Sequence, residues 1–214
     1  MTSGTVRLNI ADGIAAVTLD RPEKLNAVSP DMAAEVVRLC RELDRDDAVR
    51  VMLLTGAGTK GFCAGTDMNG LAAFATPWDY RNRLEYSSAV RMMRKPVVAA
   101  LFGWALGGGA ELALSADLRI ADETPKLGFP EVKNGWVPGG GGTQLLPRLL
   151  GYGQAMRILL LGEPIAAAEA LKLGLVEEVT TAGAAYENEL SSLCFTGQHL
   201  EGIDAFRRRH DPQS

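Results

Sequence analysis

The sequence predicts an α/β protein with buried parallel strands. Strand patterns alternate with helix patterns along the chain, and the strand candidates at residues 49–55 and 97–101 are apolar throughout instead of alternating with polar residues. Strands that helices cover on both faces of a parallel sheet have this composition. With 214 residues, 47% of them hydrophobic, the chain can bury a core of its own.

The N-terminal region contains a hairpin and a helix. Apolar residues alternate from Thr5 to Asp20 on both sides of the turn at residues 11–13, which predicts a β-hairpin. Ser29 is the expected N-cap of a helix with Pro30 at its first position. One face of this helix collects the apolar side chains of Met32, Val36, Leu39, Cys40 and Leu43.

The remaining elements follow in order. Strands are predicted at residues 49–55, 97–101 and 118–121. A helix is predicted over 78–93, and it ends there because Lys95, the residue before Pro96, disfavours the helical conformation. Residues 128–142 are loop-rich. Three helices follow at 144–150, 154–161 and 166–173, the last two ended by Gly162 and Gly174, before a strand at 175–179.

Composition and charge exclude several classes of protein. The formal net charge of −4 and the pI near 5.3 argue against nucleic-acid binding. The sequence contains no apolar run long enough to cross a membrane and no signal-peptide pattern. Three cysteines, Cys40, Cys63 and Cys194, lie far apart in the sequence, so neither a disulfide framework nor a zinc site is expected. We therefore expect a cytoplasmic protein.

Two glutamates point to acid/base chemistry. Glu111 follows a glycine turn, residues 107–109, that opens an apolar helix, and Glu131 follows Pro130. Backbone N–H groups at such a turn can stabilise a developing negative charge, and nearby carboxylic acids can transfer protons. Each glutamate also has a structural interpretation, Glu111 as a charge in the first turn of a helix and Glu131 as a surface loop residue.

Six segments between residues 6 and 179 together resemble the crotonase (enoyl-CoA hydratase/isomerase) superfamily. They are RPEKLNA at 21–27, FCAGTD at 62–67, KPVVAA at 95–100, ALGGGAEL at 105–112, PGGGGT at 138–143 and ALKLGLV at 170–176. The resemblance implies a spiral of repeated β-β-α turns, assembly as a homotrimer or dimer of trimers, and an acyl-CoA thioester as substrate.

The resemblance also implies roles for individual residues. The backbone N–H groups of Thr66 and Gly108 would form an oxyanion hole for the thioester carbonyl. Ala64 would hydrogen-bond the CoA moiety through its backbone, and Lys24 would contact a CoA phosphate. Among the aromatic residues near the glutamates in the sequence, Trp136 is the expected pocket residue.

The two glutamates match the hydratase pattern. Glu111 would activate water for attack on C3 and Glu131 would supply the proton to C2, which makes the expected activity that of an enoyl-CoA hydratase without metal or redox cofactor. A double-bond isomerase needs only the carboxylate at Glu131, and a non-catalytic acyl-CoA-binding protein needs neither. A hydratase-lyase is also compatible with the pair.

The C-terminal region departs from the family pattern. Family members continue after the strand at 175–179 with a longer helical segment, whereas few residues follow it here. We therefore predict a core domain at residues 1–185 and a shortened helical segment at 186–214.

Overall fold

The computed structural model describes residues 4–71 and 74–181. Nine strands and eight α-helices are assigned in these ranges. The strands are β1 (Thr5–Ala11), β2 (Ile14–Asp20), β3 (Val51–Gly56), β4 (Val97–Leu101), β5 (Trp104–Leu106), β6 (Leu118–Ala121), β7 (Lys126–Gly128), β8 (Ile165–Ala166) and β9 (Glu178–Val179). The α-helices are α1 (Pro30–Leu43), α2 (Met68–Leu71), α3 (Pro77–Arg81), α4 (Tyr86–Arg91), α5 (Gly108–Leu114), α6 (Gly142–Leu150), α7 (Tyr152–Leu161) and α8 (Ala167–Leu173), and two 3-10 helices span Pro22–Lys24 and Pro130–Asn134.

Six strands form the larger sheet in the order β1-β2-β3-β4-β6-β9. The hairpin β1-β2 is antiparallel, and every later pair is parallel. The smaller sheet has the order β5-β7-β8. The chain therefore forms a strand of the larger sheet, a strand of the smaller sheet and a helix in turn, first as β4-β5-α5 and then as β6-β7-α6. This confirms the α/β class and the repeated β-β-α unit.

Several local predictions are confirmed. The hairpin has the predicted turn, and β4 and β6 have the predicted bounds. Ser29 caps α1 by accepting a hydrogen bond from the Met32 N–H, and the five apolar residues predicted on one face of that helix are all buried. Gly162 and Gly174 end α7 and α8 in the left-handed conformation.

The single helix predicted over 78–93 is wrong. Two short helices, α3 and α4, replace it, because Asn82 ends the first and Glu85 adopts an extended backbone that lets its carboxylate accept from the Ser87 N–H. A side-chain cap of this kind supplies a partner for a backbone donor at the start of a new helix. The Arg83–Glu85 ion pair, with 2.6 Å between Nη2 and Oε2, joins residues of the connecting turn.

The last predicted strand is shorter than expected, and three strands were missed. Leu175 and Val176 are buried, but both N–H groups donate to the Ala170 carbonyl at the end of α8, so only Glu178 and Val179 join the ladder. Strands β5, β7 and β8 have three residues or fewer, too short to show a periodic pattern. The predicted segment at 186–214 lies outside the described residues.

The Asn26 side chain joins the loop after β2 to the loop after β3. It is fully buried, its amide nitrogen donates to the carbonyls of Ala57 (3.0 Å) and Gly61 (2.8 Å), and its amide oxygen accepts from the Arg21 N–H (2.9 Å). Its backbone has a φ of +56°, a conformation that asparagine tolerates better than most residues. Asn26 thus ties the early loop to the segment that leads into residues 61–66.

We expect Asn26→Ala to lower the free energy of unfolding by about 2–4 kcal/mol, because it leaves buried carbonyls without a donor. Urea denaturation of the variant and the wild-type protein measures this difference. Asn9→Ala on exposed β1 is the matched control and should change the free energy of unfolding by no more than about 0.5 kcal/mol. Equal effects of the two substitutions would contradict this role for Asn26.

Candidate active site

One cavity of about 720 Å³ brings together six of the seven residues that the sequence assigns to the site. They are Ala64, Thr66, Gly108, Glu111, Glu131 and Trp136. The volume lies in the range of roughly 300–1,000 Å³ that is usual for small-molecule sites. Lys24, the seventh residue, is exposed on the first 3-10 helix and does not line this cavity.

Two glycine-containing turns approach each other closely at the cavity. Cys63 pairs with Ala105 in a parallel bridge, which places residues 64–66 beside the start of α5. A Cβ atom on Gly65 would lie 2.9 Å from the Gly108 nitrogen, and one on Gly109 would lie 2.1 Å from the Cys63 carbonyl oxygen. Only glycine at these two positions allows the backbones to come so close.

The N–H groups of Thr66 and Gly108 have no hydrogen-bond acceptor within the described part of the chain. They lie close together, since a Cβ atom on Gly108 would be 3.5 Å from the Thr66 nitrogen. Gly108 is the first residue of α5, where the helix itself supplies no acceptor. Two neighbouring donors that border a cavity are the geometry that an oxyanion hole requires.

Ala64 contributes an acceptor to this wall, not a donor. Its N–H group already donates to the Leu25 carbonyl at 2.9 Å. A backbone hydrogen bond between Ala64 and a ligand therefore has to use the Ala64 carbonyl oxygen.

Tyr86 is a cavity residue that the sequence analysis missed. It is 3% exposed, and its hydroxyl lies 3.1 Å from Thr66 Oγ1. A Cβ atom on Gly108 would lie 2.4 Å from the Tyr86 hydroxyl, so this contact also requires glycine. Burial raises the Tyr86 pKa well above its usual value, which keeps the phenol protonated. No feature of the sequence distinguishes this tyrosine from a core residue of the predicted helix.

Glu111 is 4% exposed, and the backbone of the 138–143 segment holds its carboxylate. Glu111 Oε1 accepts from the N–H groups of Gly140 and Gly142, both at 2.8 Å. Gly142 is the first residue of α6, so the positive end of that helix faces the carboxylate. Burial raises the Glu111 pKa, and these backbone hydrogen bonds oppose the rise by favouring the ionised form.

Glu131 sits in a different environment. Its Oε2 atom is buried and has no hydrogen-bond partner among the described residues. Burial, with a smaller contribution from the charge of Glu111, raises the Glu131 pKa to about 7. A Cβ atom on Gly107 would lie 3.1 Å from Glu131 Oε1, and Gly107 has a φ of +53°. A carboxyl group that is half protonated near neutral pH suits a general acid.

A third carboxylate, Glu85, lines the same cavity and was not predicted as a site residue. A Cβ atom on Gly140 would lie 2.8 Å from Glu111 Oε2 and 3.2 Å from Glu85 Oε1, so the two acids flank this glycine. The Glu85 charge contributes to the raised Glu111 pKa. Arg83 pairs with Glu85 and lies over the Tyr80 ring at 4.2 Å.

The aromatic residues near the glutamates divide into cavity and core. Trp136 lines the cavity, as the sequence analysis expected. Phe129 is fully buried in the core. Trp104 is not among the cavity residues, and its ring packs against the Lys126 ammonium group at 4.8 Å.

Other titratable residues have structural partners. Cys63 is fully buried, and burial raises its pKa to about 12, which fits a packed thiol. Asp67 pairs with Arg21 at 2.6 Å, and Asp117 accepts from the Val97 N–H.

In residues 4–71 and 74–181, no three His, Cys, Asp or Glu side chains cluster as metal ligands. No helix in these ranges is both long and apolar enough to span a bilayer.

The chain is similar to known proteins in both sequence and fold. Residues 9–196 match the family model described as enoyl-CoA hydratase/isomerase. The chain is 41% identical over 182 residues to the (E)-benzylidenesuccinyl-CoA hydratase of Thauera aromatica, covering 84% of this chain and 71% of that protein. It is also 41% identical over 169 residues to the short-chain-enoyl-CoA hydratase of Clostridium acetobutylicum, covering 78% of this chain and 65% of that protein. A crystal structure of an enoyl-CoA hydratase from Bacillus anthracis superposes with a TM-score of 0.82 at 34% identity, covering 88% of this chain and 74% of that one.

The raised Glu131 pKa predicts a pH-dependent stability. The folded chain retains a proton on Glu131 up to about pH 7, whereas the unfolded chain releases it near the ordinary value of 4.5. Stability from this group therefore falls as the pH rises between these values. We expect Glu131→Gln to gain stability relative to the wild-type protein across that window, with a constant difference above it. Urea denaturation of the two proteins across this pH range measures their free energies of unfolding. A difference between the two proteins that stays the same at every pH would contradict the prediction.

Proposed function

The chain belongs to the enoyl-CoA hydratase/isomerase family, and on this basis we propose that it is an enoyl-CoA hydratase that adds water across the double bond of a 2-enoyl-CoA. One observation carries the proposal: two carboxyl groups with raised pKa values line the same cavity as two backbone N–H groups that have no acceptor within residues 4–71 and 74–181. The acids can transfer protons while the N–H groups stabilise the charge that this transfer creates.

In the proposed mechanism, the thioester carbonyl accepts hydrogen bonds from the N–H groups of Thr66 and Gly108. Attack on C3 pushes electrons toward this carbonyl oxygen, so the hydrogen bonds strengthen as the enolate forms. A preorganised donor of this kind stabilises a transition state by about 2.7–4 kcal/mol in other enzymes. Tyr86 supports the site by filling the space against Gly108 and bonding the Thr66 hydroxyl.

The two glutamates divide the proton transfers. Glu111 accepts a proton from water as the water oxygen bonds to C3, and Glu131 donates its proton to C2. The backbone hydrogen bonds to Glu111 favour the ionised form that a base needs, and the Glu131 pKa of about 7 provides a protonated fraction at neutral pH. Afterwards Glu111 holds a proton and Glu131 is ionised, and exchange with solvent restores both. The steps use neither a metal ion nor a redox cofactor.

Three further residues complete the proposed binding site. The Ala64 carbonyl oxygen accepts a hydrogen bond from the CoA moiety, because its N–H group is already bonded. Trp136 contacts the acyl group from the cavity wall. Lys24 contacts a CoA phosphate outside the cavity, where its exposed ammonium group is accessible.

We propose a homotrimer or dimer of trimers in the cytoplasm. Exposed apolar side chains on α6 and α7, Leu149, Tyr152, Leu160 and Leu161, support an association surface. The buried free thiols of Cys40 and Cys63 fit a reducing compartment. Analytical ultracentrifugation tests the assembly, since a monomer at all concentrations would contradict it.

Replacement of either glutamate tests the mechanism. We expect Glu111→Gln and Glu131→Gln each to reduce kcat on crotonyl-CoA by at least about 100-fold with little change in CoA affinity. The loss of conjugated-thioester absorbance measures the rate, and calorimetry measures binding. Glu42→Gln, on the exposed face of α1, is the control and should keep full activity.

Other outcomes favour the alternatives. An active Glu131→Gln variant would contradict the proposed acid. If only Glu131→Gln lost activity and the product were a double-bond isomer, the protein would be an isomerase. Binding of acyl-CoA without turnover in the wild-type protein would indicate a binding role.

A further inference from the structure

We propose that Arg91, the last residue of α4, is a positioning residue that fixes the Glu111 carboxylate; this inference rests on the proposed function. Much of the Arg91 side chain is exposed, but Arg91 Nη1 faces the protein and donates to Ser115 Oγ at 2.8 Å and to the Gly140 carbonyl at 3.1 Å. Arg91 Nη2 donates to Ser88 Oγ at 2.8 Å, which anchors the guanidinium on its own helix.

These contacts form a closed ring of hydrogen bonds around Glu111. Ser115 Oγ donates to the Glu111 carbonyl at 2.8 Å, and the Gly140 N–H donates to Glu111 Oε1 at the same distance. Arg91 Nη1 binds both Ser115 and Gly140. One guanidinium nitrogen therefore connects the backbone of Glu111 with the loop that holds its side chain.

The glycine loop needs such an anchor. Residues 139–142 are four consecutive glycines, and each loses more backbone entropy on ordering than any other residue would. The N–H groups of Gly140 and Gly142 hold the carboxylate only while this loop keeps its conformation. A Cβ atom on Gly141 would lie 2.8 Å from Arg91 Nη1, so the guanidinium packs directly on the loop.

A planar guanidinium with several N–H donors suits this task. Arg91 donates hydrogen bonds to a carbonyl and two hydroxyl groups and packs against Gly141. A lysine cannot reproduce this geometry because its ammonium group is compact and its stem flexible. Without Arg91 the loop can move, and Glu111 loses its orientation toward the attacking water.

Kinetics of Arg91→Met and Arg91→Lys on crotonyl-CoA test the inference. We expect Arg91→Met to lower kcat by about 10- to 100-fold with KM changed less than about threefold, and Arg91→Lys to be intermediate. Arg94→Met is the matched control, since Arg94 pairs with Asp44 on the exposed surface, and it should retain the wild-type kcat. An unchanged kcat in Arg91→Met, or an equal loss in Arg94→Met, would overturn the proposal.

A double-mutant cycle separates positioning from a general structural role. If Arg91 acts through Glu111, Arg91→Met should lower the residual kcat of Glu111→Gln by less than about twofold. If Arg91→Met lowered kcat as much in the Glu111→Gln variant as in the wild-type protein, Arg91 would act independently of Glu111. That result would also overturn the proposal.

Hydrogen exchange tests the same claim without any activity. The peptide that contains residues 139–142 should exchange at least about 10-fold faster in Arg91→Met than in the wild-type protein, with no change in Arg94→Met. If the wild-type protein did not hydrate crotonyl-CoA, the proposed function would fail while this measurement still decided whether Arg91 holds the loop. Equal exchange rates of this peptide in all three proteins would refute the proposal that Arg91 holds the loop.

Discussion

The site depends on one steric constraint, the missing side chains at the contact between residues 63–66 and the start of α5. A Cβ atom on Gly65 or Gly109 would overlap the opposing backbone, so any other residue there would force the two turns apart. Their contact places two N–H groups side by side where neither turn offers an acceptor. Both N–H groups border the cavity, so an oxygen of a bound ligand can accept hydrogen bonds from them. The same contact that limits the sequence to glycine therefore creates the proposed oxyanion hole.

The two glutamates show how environment gives one side-chain type two chemical roles. Burial raises the pKa of both. At Glu111 the N–H groups of Gly140 and Gly142 favour the charged carboxylate, whereas Glu131 Oε2 has no such partner in the part of the chain that the structure describes. Neighbouring acids whose surroundings favour different protonation states are the usual basis for pairing a base with an acid. Glu85 adds negative charge near Glu111, and Arg83 offsets part of that charge through its ion pair.

The sequence predicted those features that depend on neighbours along the chain. The Ser29 cap, the apolar face of α1 and the glycines that end α7 and α8 all follow from local spacing. The two glutamates and both glycine turns were located because their motifs are contiguous. Tyr86 and Arg91 were missed because they contact residues that are distant in the sequence, such as Thr66 for Tyr86 and Gly140, 49 positions away, for Arg91. Glu85 was missed because the break between α3 and α4 was not predicted. Strands β5, β7 and β8 were missed because their pairing, and not a periodic pattern, defines them.

The proposed function requires that water adds to a conjugated thioester in this cavity. Incubation of the protein with crotonyl-CoA in water labelled with heavy oxygen, followed by fragment analysis of the product by mass spectrometry, measures whether water is added and at which carbon. We expect a 3-hydroxyacyl-CoA that carries the labelled oxygen on C3. A product with the mass of the substrate, or one whose hydroxyl oxygen is unlabelled, would contradict it.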